Sequence, residues 1–145
     1  SLAVNSSLVF TVTDYYNLIA LKPGKNGSTL WEDNSFTPDV SSPVATDEFV
    51  FLSTGNGDVA CYSSEKGDTL WSHYFQDQFY ASPIIADGNV YCLDRSGVMH
   101  IVKAKAEFQL VGQPSLGERT DCTPAFSESK IYIRSKNNLY CISGN

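Results

Sequence analysis

Ser82-Pro83-Ile84-Ile85-Ala86-Asp87-Gly88-Asn89-Val90-Tyr91 holds a Ser-Pro pair, an apolar run, a turn dipeptide and a second apolar run, and the pattern returns along the chain. Ser42-Pro43, Ser82-Pro83 and Thr123-Pro124 recur with prolines 40 and 41 residues apart, and Ser1-Leu2 stands 41 residues before Pro43. Eight to ten residues after each anchor come Leu8-Val9-Phe10, Phe49-Val50-Phe51, Asn89-Val90-Tyr91 and Lys130-Ile131-Tyr132. A third segment follows each polar turn: Leu18-Ile19-Ala20-Leu21, Val59-Ala60-Cys61-Tyr62, Met99-His100-Ile101-Val102 and Leu139-Tyr140-Cys141-Ile142. Gly27-Ser28-Thr29-Leu30-Trp31 then reappears as Gly67-Asp68-Thr69-Leu70-Trp71. Its aligned third copy, Glu107-Phe108-Gln109-Leu110-Val111, keeps the apolar pair but loses Gly and Trp.

Each copy is a set of short β-rich runs separated by turn residues. Asp87-Gly88, Asn56-Gly57, Ser96-Gly97 and Asn137-Asn138 are dipeptides that tolerate positive φ in hairpins. No segment sustains a helical period. A period near 40 with about four antiparallel strands per unit is the pattern of a β-propeller blade. An immunoglobulin-like sandwich would not repeat its own sequence four times. The expected fold is therefore all-β, a partial propeller of about three and a half four-stranded blades in one domain over residues 1–145. The blades are 1–41, 42–81 and 82–122, with an incomplete blade at 123–145. With strands named A to D in each blade, the fourth copy stops after strand C. Propellers commonly close by taking that strand from the opposite terminus, so Asn145 is expected to be a natural C-terminus, with a longer N-terminal part preceding Ser1.

Composition narrows the function. Hydrophobic residues at 42% and charged residues at 18% describe a globular chain of 145 residues with a sizeable core. No apolar run approaches the roughly 20 residues of a membrane-spanning helix. A net charge of −6 with scattered basic residues argues against nucleic acid. The cysteines, Cys61, Cys92, Cys122 and Cys141, form no CxxC and have no His at ligand spacing, which speaks against zinc. Cys61 and Cys141 hold the same strand-C position two blades apart, too far for a disulfide's roughly 6 Å Cα separation. Cys92 and Cys122 replace Leu52 and Ala81, so small buried hydrophobes are expected at all four positions.

These segments resemble the repeats of the pyrroloquinoline-quinone-like (PQQ-like) propeller superfamily, the quinoprotein alcohol dehydrogenase-like fold, over essentially the whole chain. That superfamily joins quinone-dependent dehydrogenases to non-enzymatic envelope scaffolds, so the resemblance implies the fold and leaves activity open. The dehydrogenases carry an adjacent Cys-Cys pair, a calcium site and a catalytic Asp. No two cysteines here are adjacent, and no carboxylate group stands out from the turns.

The expectation is a non-catalytic recognition scaffold binding a protein or ligand in the cell envelope, periplasmic by resemblance, with no catalytic, cofactor or metal residue assigned. The alternatives are a dehydrogenase fragment whose catalytic residues lie in missing blades, the one reading that requires PQQ and calcium, and a recognition module attached to a separate enzymatic domain.

Trp31 and Trp71 are expected to pack between blades, since they recur at one blade position. Gly55-Asn56-Gly57-Asp58-Val59-Ala60 spells a dinucleotide fingerprint but aligns with hairpin turns and lacks the βαβ context. His73 and His100 fall in strands D and C, where half-buried positions are expected, with no nucleophile elbow beside them. Asn5-Ser6-Ser7 and Asn26-Gly27-Ser28 match the short glycosylation pattern. Tyr15-Tyr16, Phe75 and Phe79-Tyr80 lie near turns and are the aromatics to inspect for a partner surface, although core packing accounts for most such residues. Finally, an open arc leaves bare edges, and two arcs pairing into a ring of about eight blades is the expected self-association unless the native N-terminal half is present.

Overall fold

The computed structural model describes residues 1–13 and 17–144; Tyr15-Tyr16 and Asn145 lie outside them. Four antiparallel sheets follow one another as meanders, and no helix occurs among the described residues. Blade 1 holds β1 (Leu2–Val4), β2 (Val9–Val12), β3 (Leu18–Lys22) and β4 (Ser28–Asp33). Blade 2 holds β5 (Val44–Ala45), β6 (Phe49–Ser53), β7 (Asp58–Ser63) and β8 (Thr69–Tyr74). Blade 3 holds β9 (Ile84–Ala86), β10 (Asn89–Leu93), β11 (Met99–Lys103) and β12 (Leu110–Gly112). Blade 4 has three strands, β13 (Ala125–Ser127), β14 (Lys130–Arg134) and β15 (Leu139–Ser143). This is the all-β partial propeller that the repeat implies.

The core lies between blades. Alternation along a strand sends successive side chains to opposite faces. In β6, Val50 and Leu52 meet Phe10 and Leu18 of blade 1, while Phe51 meets Val90 of blade 3. A smaller layer, with Leu93, Met99 and Ile133 at its centre, joins blades 3 and 4. A strand buried on both faces reads as a continuous apolar run, which is what Phe49-Val50-Phe51-Leu52 is.

The tryptophans seal these layers from the outside. Trp31 stacks on Tyr62 at 6.3 Å and donates Nε1–H to Ser64 O at 2.8 Å; Trp71 meets Phe108 edge-on at 5.3 Å and donates to Lys105 O at 3.0 Å. Gly67, at φ +76°, lies under Trp31, and a Cβ there would stand 2.5 Å from the indole. The turn that receives Trp31 must therefore carry glycine, whereas the turn that receives Trp71 has Glu107 at the aligned position.

One bulge recurs in the C–D pairing. It follows Ala20, Cys61 and Ile101, whose partners are Trp31, Trp71 and Gly112. Gly112, not Val111, thus holds the tryptophan position in blade 3. Leu30, Leu70 and Val111 are the extra residues of the bulges, and all three are exposed. The one-residue shift arises because the third repeat is longer, with prolines 41 rather than 40 residues apart.

The Ser/Thr-Pro anchors also have a physical role. Ser42 N donates to Ser82 Oγ at 2.9 Å, and Ser82 N donates to Thr123 Oγ1 at 3.0 Å. Each hydroxyl accepts an amide from the preceding blade, so the repeat period is written as a ladder between blades.

All four cysteines are free, as their spacing implies. Cys61 and Cys92 are buried, and burial pushes both thiols up to about 12. Cys122 is half-buried and Cys141 exposed, contrary to the expectation of four buried positions. The reason is local: Cys141 faces outward from blade 4, where no described strand covers it.

Candidate functional site

The D–A loops, which lead from one blade to the next, and the B–C hairpins share one end of the arc. The hairpins of blades 3 and 4 dock on the loop before them: Arg95 N donates to Gln78 O at 2.9 Å, and Lys136 N to Arg119 O at 3.1 Å. At the last residue before each turn stands an oxygen-bearing side chain that accepts the turn's amides. Thr13 accepts from Asn17 N, Thr54 from Asn56 N and Asp58 N, Asp94 from Val98 N, and Ser135 from Asn138 N. The Gly55–Ala60 motif is such a hairpin, with Gly57 at φ +101°.

Blade 3 departs from this common plan. Asp94 Oδ1 accepts from Val98 N and from Ser96 Oγ–H, and Oδ2 lies 2.8 Å from His100 Nε2. His100 Nδ1 lies 2.8 Å from Gln113 Nε2. The amide donates there, which leaves the imidazole Nε2–H for Asp94. Phe75 and Phe79 pack on the imidazole with centroids 4.1 and 5.6 Å away. Burial opposes the Asp94 charge, but hydrogen bonds from His100, Val98 and Ser96 outweigh it and hold the carboxyl below its ordinary range. With both nitrogens occupied inside the core, His100 braces the hairpin and has no nitrogen free for a substrate. His73, the other histidine, stacks on Phe108 at 4.2 Å.

The residue after Asp94 points the opposite way. Arg95 Nε donates to Asp121 Oδ1 at 2.6 Å and Nη1 to Gln78 Oε1 at 2.9 Å, while Cζ lies 3.9 Å over the Tyr80 ring. The guanidinium thus ties the loop before blade 3 to the loop before blade 4. Beside it lies a hollow of about 230 Å³ lined by Asp77, Gln78, Arg95, Ser96 and Arg119. A second hollow, of about 520 Å³, lies between Arg119–Cys122 and Arg134–Lys136. All three arginines of this acidic chain therefore gather at the loop end of blades 3 and 4, while six of the seven lysines lie at the opposite end or on the strands leading to it. Glu118 organises the last hairpin. Donors around it, Ser135 first and then Tyr140 and Asn138, hold its carboxyl down to about 2.

Of the aromatics singled out for a partner surface, Phe75 and Phe79 are in the core and Tyr80 is the platform under Arg95. The D–A loop folds over the blade top and carries its phenylalanines inward. Asn5 is tied down as well: its Nδ2 donates to Thr46 O and its Oδ1 accepts from Ser7 N and Leu8 N. Among the described residues, no three His, Cys, Asp or Glu side chains cluster at ligating distance. No helix among them is long and apolar enough to cross a membrane.

Blades of this length, docked through tryptophans and Ser/Thr-Pro anchors, define a PQQ-like β-propeller repeat protein. The family model described as outer membrane protein assembly factor BamB matches residues 16–144, and the chain belongs to that family. The crystal structure of BamB from Moraxella catarrhalis superimposes with a TM-score of 0.84 at 19% identity, over 99% of this chain and 45% of that one. The computationally designed Ika4 protein gives 0.79 at 14% identity, over 98% and 88%. A europium-containing methanol dehydrogenase gives 0.63 at 13% identity, over 79% and 25%. The chain thus spans less than half the length of the BamB structure. The comparison with curated proteins gives no match.

Proposed function

We propose that the chain is a non-catalytic recognition scaffold of the bacterial cell envelope, periplasmic or outer-membrane associated, that binds a protein partner through the loop end of blades 2 to 4. One observation carries the reading: Arg95 is fixed over Tyr80 by Gln78 and Asp121, beside Arg119, on a rigid β framework. Arginine and tyrosine are the side chains that interfaces favour, and a pre-fixed guanidinium loses little freedom on binding. The repeat residues themselves are consumed by packing between blades, as expected of a scaffold. Family membership supports the envelope placement.

The test is a photo-crosslinking residue placed at Tyr80 and, as control, at Glu65 on the opposite end. A defined adduct is expected from position 80 alone, and Arg119→Glu should abolish it. Equal crosslinking at both ends would remove the loop end as the binding surface. A calorimetric titration with pyrroloquinoline quinone and calcium is expected to give no saturable heat; one-to-one binding would place the chain with the dehydrogenases instead.

A further inference from the structure

The loop end changes sign across the hollow beside Arg95. Three acids surround the blade 2 hairpin: Asp39, whose carboxylate packs directly on Gly55, Asp58 at the first residue of β7, and Asp77, whose backbone lies against Gly57. No base joins them. Lys22, Lys25 and Lys66, the only basic residues before Arg95, sit at or beside the C–D turns of the opposite end.

Across the hollow stand Arg95 and Arg119. The acids on that side are already engaged within the chain. Asp94 is held by His100, Ser96 and Val98, Glu118 by Asn137, Asn138 and Tyr140, and Asp121 by Arg95. Arg95 uses two of the five guanidinium N–H donors on Asp121 and Gln78 and has others to give. Arg119 has no carboxylate within 4 Å among the described residues, and Asp39, Asp58 and Asp77 have no cation within that distance. Asp77 and Arg119 thus line one hollow without pairing with each other. Every charged group of the two rims, from Asp39 to Arg119, lies between the first blade and the last.

We propose that the loop end takes a protein segment carrying both signs, its acidic side chains over Arg95 and Arg119 and its basic side chains over Asp39, Asp58 and Asp77. Charge then fixes the direction in which the partner lies, because the reversed direction sets like charges against each other. The inference rests on the loop end as the binding surface and adds the chemistry of what binds there. A polyanion would be repelled by the blade 2 hairpin. A free amino acid would fill the hollow of about 230 Å³ without touching Asp39 or Asp58, which do not line it.

The test is binding of a synthetic peptide, a glutamate block and a lysine block joined by glycines, with benzophenone at one end or the other. Benzophenone at the acidic end is expected to label residues 113–122, and at the basic end residues 54–58 and 75–79. Arg119→Glu and Asp77→Lys should each weaken binding by about tenfold, as should an all-glutamate or all-lysine peptide of the same length. Lys66→Glu, at the opposite end, should change it by less than about twofold. An all-lysine peptide bound as tightly as the two-sign one, or the same residues labelled from both ends, would overturn the proposal. If a crosslinker at position 80 still captures a partner, that result removes the two-sign chemistry and leaves the loop end as the binding surface; if it captures none, both fall.

Discussion

Blade 2 and blade 4 are built from the same repeat, yet β7 and β15, the third strands of each, live in different surroundings. Val59, Ala60, Cys61 and Tyr62 of β7 are wholly buried, with β6 and β8 on either side. Leu139, Cys141 and Ile142 of β15 are exposed, and one strand edge has no partner among the described residues. Cys61 and Cys141 hold one position, opposite Phe51 and Tyr132, and Val59 and Leu139 hold another, opposite Ser53 and Arg134. Burial in this fold is therefore set by the blade's neighbours and not by the residue's own strand. A repeat whose core lies between units is stable only where units stack on both sides.

Thiol chemistry should separate the two strands most widely. An exposed cysteine and a buried one whose thiol is held at about 12 differ in reactivity by orders of magnitude. A thiol-exchange reagent at pH 8 is expected to label Cys141 first and Cys122 after it. Cys61 and Cys92 should react only on unfolding. Labelling of Cys61 at the rate of Cys141 would mean that the blade interfaces open.

Truncation tests the same pair of strands through packing. Val59→Ala is expected to cost about 2 kcal/mol, the loss of buried methyls plus a residual cavity. Leu139→Ala should stay within about 0.5 kcal/mol of the parent in the monomer, as surface changes do. Equal losses in urea titrations would contradict the assignment of Leu139 to a bare face.

Acid gives the smallest effect and compares blade 3 with blade 4. Asp94 and Glu118 both have folded carboxyls held below their unfolded values. Their stabilisation is present in full above about pH 5 and is lost as pH falls through about 4 toward 2. The melting temperature should decline over that window. Asp94→Asn should flatten the decline more than Glu118→Gln, because Asp94 is buried and Glu118 braces a surface hairpin. An identical acid profile in all three proteins would remove the Asp94–His100 brace from the account.

Much of this was open to reading from the sequence. The period, the missing fourth strand, the packing of Trp31 and Trp71 and the turn at Gly55–Ala60 all follow from registering four copies, because equivalent residues meet equivalent neighbours. Four features did not follow, for physical reasons. A bulge residue has the same apolar chemistry as the strand around it, so Val111 aligned where Gly112 stands. Two-residue turns with positive φ sit at Asp87-Gly88 and also at Glu128-Ser129, a pair with no turn signature. The arginine end was invisible because Arg95, Arg119 and Arg134 are far apart in sequence. Placing each on the repeat map, at a hairpin, a D–A loop and a strand end, would have revealed their common end. Asp94 and His100 stand six positions apart across a hairpin turn, a spacing that becomes a contact once the turn is recognised.

Hydrogen exchange resolved by residue tests whether neighbouring blades, and not the strand itself, set burial in this arc. The amides of β6, β7 and β10 are expected to exchange only through global unfolding. Those of β15 should exchange orders of magnitude faster. Uniform protection across all four blades would contradict it.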